Sequence, residues 1–183
     1  MKKILIIIFL ALLLFGILSK GTVATSIPTP ISTPTPNPLS VSSFELFWPI
    51  VAGKTEGNSL YFVKTLKEGL RGKLIFGSAQ KADYSIFLAT KRVVEAEKLI
   101  LEGKSDLAEK TLIRAIGQID KATVNVDKAL ANKTPFQEQA VNMNNRLSNL
   151  EIFIPNLITK ADKNKESLIK ILEKVVSLKA KLL

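Results

Sequence analysis

Cysteine and histidine are both absent from the 183-residue sequence. Without cysteine there is no disulfide framework and no lipid-modified cysteine to anchor the protein. Zinc, copper, haem and iron–sulfur sites commonly use cysteine or histidine ligands, and the sequence also lacks the Asp-x-Asp-x-Asp loop typical of calcium sites. We therefore expect no metal and no cofactor, and we expect packing alone to stabilise the fold.

Complete catalytic motifs are missing as well. Gly53-Lys54-Thr55 looks like the end of a phosphate-binding loop, but Trp48 stands where that loop needs its first glycine. Ser78 and Ser167 each precede a lysine by three residues, yet the Lys-Thr-Gly and Ser-Asp-Asn partners of that nucleophile motif do not occur. The sequence thus predicts a protein that is not an enzyme and has no catalytic residues. The alternative is a wall- or membrane-associated hydrolase that uses serine or carboxylate residues.

The N-terminus has the pattern of a secretory signal. Lys2 and Lys3 precede an apolar run over residues 4–18, and small residues follow up to Ala24. This pattern predicts a signal peptide over residues 1–24 that is cleaved after Ala24. In the alternative, the segment stays uncleaved and residues 4–18 tether the protein to a membrane. Both interpretations predict an extracytoplasmic location, either secreted or membrane-anchored.

Residues 25–42 are rich in proline, threonine and serine, with prolines at 28, 30, 34, 36 and 38. Proline removes backbone donors and favours extended conformations, so we expect a disordered linker without regular secondary structure. Apolar residues spaced by three and four begin after this stretch. They predict a helical bundle domain over residues 43–183.

The charge of the chain is basic, at +10 overall. Three of the 26 basic residues and none of the 16 acidic ones precede residue 43, so the predicted domain carries +7. These charges are spread along several segments, as expected for the solvated faces of amphipathic helices. The alternative is electrostatic binding to anionic envelope polymers or to a lipid surface. We expect no nucleic-acid partner, because the chain has the pattern of an exported protein and few aromatic residues lie among the basic ones.

Two segments on either side of Gly103 share one apolar repeat. Folded back antiparallel, they pair residues whose numbers sum to 208: Ile100/Ala108, Ala96/Leu112, Val93/Ala115, Ala89/Ile119, Ile86/Ala122, Ala82/Val126 and Ala79/Ala129. In six of the seven layers alanine faces a larger branched side chain. Small residues opposite large ones let two helices approach closely, so the pattern predicts a tightly packed antiparallel hairpin.

An amphipathic helix is predicted ahead of this hairpin, over about residues 59–76. Its apolar side consists of Leu60, Val63, Leu66, Leu70 and Leu74. A second apolar stripe on the hairpin, marked by Phe87, Val94 and Leu101, is the surface on which we expect this side to pack. Gly117 lies away from the main seam, and we expect another segment to cross closely there.

The same spacing resumes over residues 135–182, interrupted by Pro155 and by a polar cluster at residues 160–166. A second hairpin would pair residues whose numbers sum to 325, such as Ile154 with Ile171. A single kinked helix over the whole segment also keeps the phase of the repeat, but the polar cluster favours the hairpin. The predicted fold class is therefore all-α, an antiparallel helix-hairpin bundle of four to five helices behind the signal segment and linker.

A candidate interaction patch is formed by aromatic residues at the start of the domain and lysines near its end. Its members are Phe47, Trp48, Tyr61, Phe62, Lys170 and Lys174. The aromatic residues either plug one end of the bundle or anchor a ligand or partner. The lysines form either a solvated face or a surface that lies on an anionic membrane.

Residues 48–130 resemble a family of exported bacterial proteins that is classed as a domain of unknown function. The resemblance rests on Leu60-Tyr61-Phe62-Val63-Lys64, on the run from Lys91 to Lys98, and on the turn Glu102-Gly103-Lys104. Ser59 stands where the family usually has proline. The resemblance implies a helical fold and export, and it implies no activity or functional residues.

Taken together, the patterns predict a non-catalytic extracytoplasmic helical module. We expect a structural or protein-interaction role at the cell envelope, with an envelope protein or an anionic polymer as the partner.

Overall fold

The computed structural model describes residues 42–182 of the chain. The segment predicted as a signal or anchor and, apart from Ser42, the predicted linker lie outside this range. Between residues 42 and 182 the chain forms six helices and no strand. They are α1 (Ser43–Phe47), α2 (Tyr61–Leu74), α3 (Ser78–Leu101), α4 (Ser105–Ala131), α5 (Gln137–Lys160) and α6 (Lys165–Ala180).

Helices α3 and α4 form the predicted antiparallel hairpin. Gly103 turns the chain with a φ of 71°, and the Lys104 amide donates to the Leu99 carbonyl at 2.8 Å. Every residue of the predicted seam is buried except Ile100, which is half-buried against the core. The prediction of two closely packed helices is therefore confirmed.

Helices α5 and α6 form the second hairpin, so the alternative of one long helix is wrong. The chain leaves the helix at Ala161 and re-enters it at Lys165. Asn164 is buried at this turn, and its side-chain amide donates to the Ser105 carbonyl at 3.1 Å and to the Glu109 carboxylate at 2.8 Å. These bonds attach the second hairpin to the start of α4.

The two hairpins pack side by side as a four-helix bundle. Helix α3 contacts α4 and α5, and α6 contacts the same two helices. Lys174 of α6 pairs with Asp120 of α4 at 2.5 Å, and Lys181 pairs with Asp127 at 2.7 Å. The residue numbers on both helices rise by seven from the first pair to the second, so α4 and α6 run in the same direction. The predicted all-α hairpin bundle is confirmed; residues 42–182 form six helices rather than four to five, and the short helix α1 is the one that was not predicted.

Helix α1 packs against α5. Ser42 caps α1 by accepting from the Glu45 amide at 3.3 Å, and the Glu45 side chain closes a capping box. Phe47 meets Phe153 of α5 edge to face, with ring centroids 5.3 Å apart. The Asn149 amide donates to the Leu46 carbonyl at 2.7 Å. These contacts attach α1 to the core of the bundle.

Helix α2 faces solvent with its apolar side, whereas the sequence predicted that this side packs on the hairpin. Its apolar residues Leu60, Val63, Leu66, Leu70 and Leu74 are all between 50 and 73% exposed. They therefore do not pack on the second stripe of the hairpin, and that prediction is wrong.

The inward side of α2 carries Tyr61, Lys64 and Glu68 instead. The physical reason lies in α3, where Arg92 and Glu95 are buried and need charged partners. The stripe itself is covered only in part, since Val94 is buried and Leu101 is exposed.

The close crossing expected at Gly117 is also wrong. A Cβ added there would meet nothing within 4 Å. Gly117 instead lines an open cleft between α2 and the α3–α4 hairpin. The cleft exists because α2 reaches the hairpin through long polar side chains rather than through close backbone contact.

Candidate functional site

A buried ion network joins α2 to α3. It consists of Lys64 and Glu68 from α2 and of Lys91, Arg92 and Glu95 from α3. Arg92 is 5% exposed and Glu95 is fully buried. A buried charge without a partner is costly, so each of these side chains depends on the others for its position.

Arg92 holds the centre of the ion network. One of its guanidinium nitrogens lies 2.8 and 3.0 Å from the two carboxylate oxygens of Glu95, one turn along α3. The other donates across to Glu68 of α2. Lys91 donates to the second oxygen of Glu68 at 2.7 Å. Glu68 thus accepts hydrogen bonds from two cationic side chains of α3, and these bonds fix the rotation of α2 about its own axis.

Lys64 connects the ion network to the loop before α2. Its ammonium group donates to the carbonyls of Ala52 and Lys54, at 3.1 and 2.7 Å, and to the carboxylate of Glu95. An ammonium group has three protons, and these three acceptors use all of them. A single side chain therefore links the loop, α2 and α3.

The ring of Tyr61 lies among three cations. The Lys64 ammonium and the Arg92 and Arg114 guanidinium groups lie 5.4, 5.6 and 5.3 Å from the ring centroid. Arg114 belongs to α4 and also pairs with Glu56 of the loop at 2.8 Å. The negative face of an aromatic ring attracts cations, so Tyr61 extends the ion network from α3 to α4.

The pKa values of the two acids in the ion network shift in opposite directions. Burial raises the pKa of Glu95 above its ordinary value, although Arg92 and Lys64 favour the charged form. Burial acts on Glu68 in the same sense, but Lys91 and Arg92 outweigh it and hold the pKa of Glu68 below the ordinary value. Glu68 is therefore the firmly ionised acid, and Glu95 takes up a proton more readily.

The basic side chains of the ion network also differ from each other. Burial lowers the pKa of Lys64, against the attraction of Glu95. Burial would also lower the pKa of Arg92, but Glu95 and Glu68 outweigh it and raise that pKa. Arg92 thus stays charged and organises the site. Since Glu95 has no exposed surface, a solute could reach it only if α2 moved away from α3.

The structure separates the aromatic residues of the predicted interaction patch. Phe47 is 3% exposed in the core, and Tyr61 is buried in the ion network, so neither is available at the surface. Trp48 and Phe62 are 66% and 70% exposed. Trp48 lies against Phe44, with ring centroids 4.8 Å apart. Phe47 packs on Phe153 in the middle of α5, so these aromatic residues do not together close one end of the bundle.

The two lysines of the predicted patch lie on α6. Lys170 is exposed, and Lys174 pairs with Asp120 of α4. Trp48 instead lines a cleft with residues of α3 and α5. The structure therefore shows no contact that would join the lysines to the exposed aromatic residues within residues 42–182.

The cleft beside Trp48 has a volume of about 400 Å³. Its other lining residues include Phe87, Lys91, Arg146 and Asn149. Phe87 and Arg146 also line a neighbouring cleft of about 670 Å³. Arg146 pairs with Asp83 and lies 5.8 Å from the Phe87 ring centroid, so these side chains divide the two spaces. The cleft beside Trp48 therefore has an apolar wall next to the charged side chains of Lys91 and Arg146.

The serine residues of the Ser-x-x-Lys matches have other positions than a nucleophile pair requires. The Ser167 hydroxyl donates to the Glu109 carboxylate rather than to Lys170. Ser78 is the first residue of α3. In the part of the chain that the structure describes, no helix is long and apolar enough to cross a bilayer. No group of three or more acidic residues there could hold a metal ion.

The ion network was not predicted from the sequence, although the position of two charged residues in an apolar stretch indicates it. Arg92 and Glu95 stand three apart in a stretch whose other members, Val93, Val94 and Ala96, are apolar and buried. A charge pair on the buried side of a helix indicates that another element supplies counter-charges.

These features define a small helical-bundle protein in which a buried ion network attaches α2 to α3. The chain belongs to the family described as Domain of unknown function (DUF5667), whose model matches residues 53–176. The resemblance to a domain of unknown function seen in the sequence is thereby confirmed. Comparisons with curated proteins and with solved structures gave no match.

Proposed function

We propose that this protein is a non-catalytic helical module that acts outside the cytoplasm, in a structural or protein-interaction role at the cell envelope. The observation that carries the proposal is the amount of large apolar side chain left at the surface. Trp48 and Phe62 are both more than half exposed, and the outward side of α2 is apolar. Contiguous exposed apolar surface marks interaction sites in soluble proteins.

The extracytoplasmic part of the proposal rests on the N-terminal sequence. The basic residues, the apolar run over residues 4–18 and the small residues before Ala24 support export. The proline-rich stretch over residues 25–42 supports a spacer between a membrane and the bundle.

Export is tested by fusing the full chain at its C-terminus to a phosphatase that is active only outside the cytoplasm. We expect high phosphatase activity from the fusion in bacterial cells. The matched control carries Leu12→Arg and Leu13→Arg, which interrupt the apolar run, and we expect it to be inactive. An inactive wild-type fusion of normal abundance would contradict the extracytoplasmic role.

The interaction role is tested with a photo-reactive phenylalanine analogue placed at Trp48 in the full chain. Irradiation of cells should yield one discrete crosslinked protein. The control places the same analogue at Val124 of α4, which is 52% exposed and lies outside the cleft. Crosslinking of the same products at both positions would show that Trp48 has no partner of its own.

A further inference from the structure

The outward side of α2 is mainly apolar. We name it the α2 apolar face, and its members are Phe62, Val63, Leu66, Leu70 and Leu74. At about 100° per residue they fall within an arc of about 120°, opposite Tyr61 and Glu68. A helix on a soluble bundle usually turns such an arc towards the core. Here the ion network holds the arc away from it.

Basic side chains lie on and beside the α2 apolar face. Lys67 borders one edge, Lys73 lies within the arc near the C-terminal end of α2, and Arg71 lies further round, with its guanidinium 5.4 Å from the Tyr84 ring centroid; all three residues are exposed. Within residues 42–182 no acidic side chain forms an ion pair with any of them. The only acid of α2, Glu68, points inward to Lys91 and Arg92. The outward surface of α2 therefore carries positive charge alone.

We infer that the α2 apolar face binds an anionic lipid surface, with α2 lying in the plane of the head groups. Apolar side chains enter the boundary of the acyl chains in this arrangement, and flanking lysine and arginine side chains reach the phosphates. The inference deepens the proposed envelope role and rests on it for the presence of a membrane.

The ion network prepares α2 for this role. Amphipathic peptides often fold only on contact with lipid and lose conformational entropy in that step. Glu68 and Lys64 already hold α2 as a helix of fixed rotation on α3. The apolar side chains thus face outward before any lipid is present.

Charge complementarity favours lipid over a second copy of the chain. Pairing two α2 apolar faces would bring the basic side chains of both copies, Lys67, Arg71 and Lys73, into one interface without an acid on the outward side of either helix. Like charges at close range oppose that association, whereas an anionic head-group layer neutralises all three.

The test uses the full chain, whose lack of cysteine allows single labelling sites. A polarity-sensitive fluorophore is attached at Leu70→Cys, and vesicles contain phosphatidylglycerol with phosphatidylcholine or phosphatidylcholine alone. The control is Val176→Cys on α6, which is 47% exposed and lies far along the chain from α2. This control separates insertion of α2 from tethering of the whole protein by residues 4–18.

With phosphatidylglycerol present, we expect the Leu70 label to shift to shorter wavelength and to be quenched by nitroxide lipids. The Val176 label should do neither. Lys67→Glu with Arg71→Glu should weaken the response at least about tenfold, since each charge near the surface contributes about 1 kcal/mol. Leu66→Cys provides a second site on the same face if Leu70→Cys fails to fold.

Three results would overturn the inference. The first is a Leu70 label that stays in water on phosphatidylglycerol vesicles, and the second is an equal shift on both kinds of vesicle. The third is a shift without vesicles that grows with protein concentration, which would identify a second copy as the occupant. Because the vesicle assay does not depend on export, it can fail while the phosphatase fusion succeeds, and the reverse also holds.

Discussion

Arg92 and Glu95 form an ion pair inside α3, with one guanidinium nitrogen 2.8 and 3.0 Å from the two carboxylate oxygens. The carboxylate is fully buried, so this pair sits where charge is least well solvated. Lys64 and Glu68 of α2 complete its coordination. The pair therefore explains why α2 lies on the bundle with its polar side inward.

Breaking this pair from one side should destabilise the protein strongly. Among residues 42–182, Arg92→Met leaves buried Glu95 with Lys64 as its one ion-pair partner, and we expect a loss of about 3–5 kcal/mol in the free energy of unfolding. Adding Glu95→Leu should recover part of that loss, since no buried acid then lacks its counter-charge. Urea denaturation measures both, and simple additivity of the two changes would contradict a coupled pair.

The matched control for that experiment is the exposed pair between Lys181 and Asp127. Both side chains are more than a third exposed. Lys181→Met should change the free energy of unfolding by less than about 1 kcal/mol, because solvent screens surface ion pairs.

Stability should fall with acid partly through Glu68. Its pKa is lower in the folded protein than in the unfolded chain, so its ionisation stabilises the fold at neutral pH. That contribution is lost as the pH falls through the folded pKa. We expect wild type to exceed Glu68→Gln in free energy of unfolding at about pH 7 and the difference to shrink below about pH 4. A difference that is independent of pH would show that Glu68 is not held as an ion.

Phe47 and Trp48 are adjacent but should respond very differently to truncation. Phe47→Ala removes the edge-to-face contact with Phe153 and opens the core, which costs about 3–5 kcal/mol. Trp48→Ala removes a largely exposed ring and should cost less than about 0.5 kcal/mol. Thermal denaturation compares the two variants directly. Equal destabilisation would mean that α1 does not pack on α5 as described.

The seam of the first hairpin should not tolerate a larger side chain. Ala89 is fully buried there, and Ala89→Leu should cost about 1–3 kcal/mol through overpacking. Ala131→Leu makes the same chemical change at an exposed position near the end of α4 and serves as the control. If both variants unfold at the same denaturant concentration as wild type, the helices of the hairpin are not in close contact.

Apolar spacing predicted which helix sides meet in the two hairpins, but it did not by itself show that the second segment folds back. Alanine opposite larger residues identified the α3–α4 seam, and Leu168 and Ile171 continue the apolar stripe of α5. The choice between a hairpin and one long helix depended on the polar cluster around Asn164. Its amide contacts to Ser105 and Glu109 join distant parts of the chain, so they were not visible in the spacing.

The rotation of α2 could not be predicted from hydrophobicity. An apolar stripe indicates only that some surface covers it, and the surface need not belong to the same chain. The rotation of α2 depends on the ion pairs that the buried residues Arg92 and Glu95 form with Glu68 and Lys64. These two partners lie on the polar side of α2, opposite its apolar side. The different burial of Phe47 and Trp48 could not be predicted for a similar reason, because it depends on the contact of Phe47 with the distant residue Phe153.

The orientation of α2 is tested by the rate at which a thiol reagent labels Leu70→Cys in the cysteine-free chain. We expect labelling within about tenfold of the urea-unfolded protein, while Ala115→Cys in the seam should react at least about a hundredfold more slowly. If Leu70→Cys is as protected as Ala115→Cys, the apolar side of α2 is packed inside and the orientation of α2 described above is contradicted.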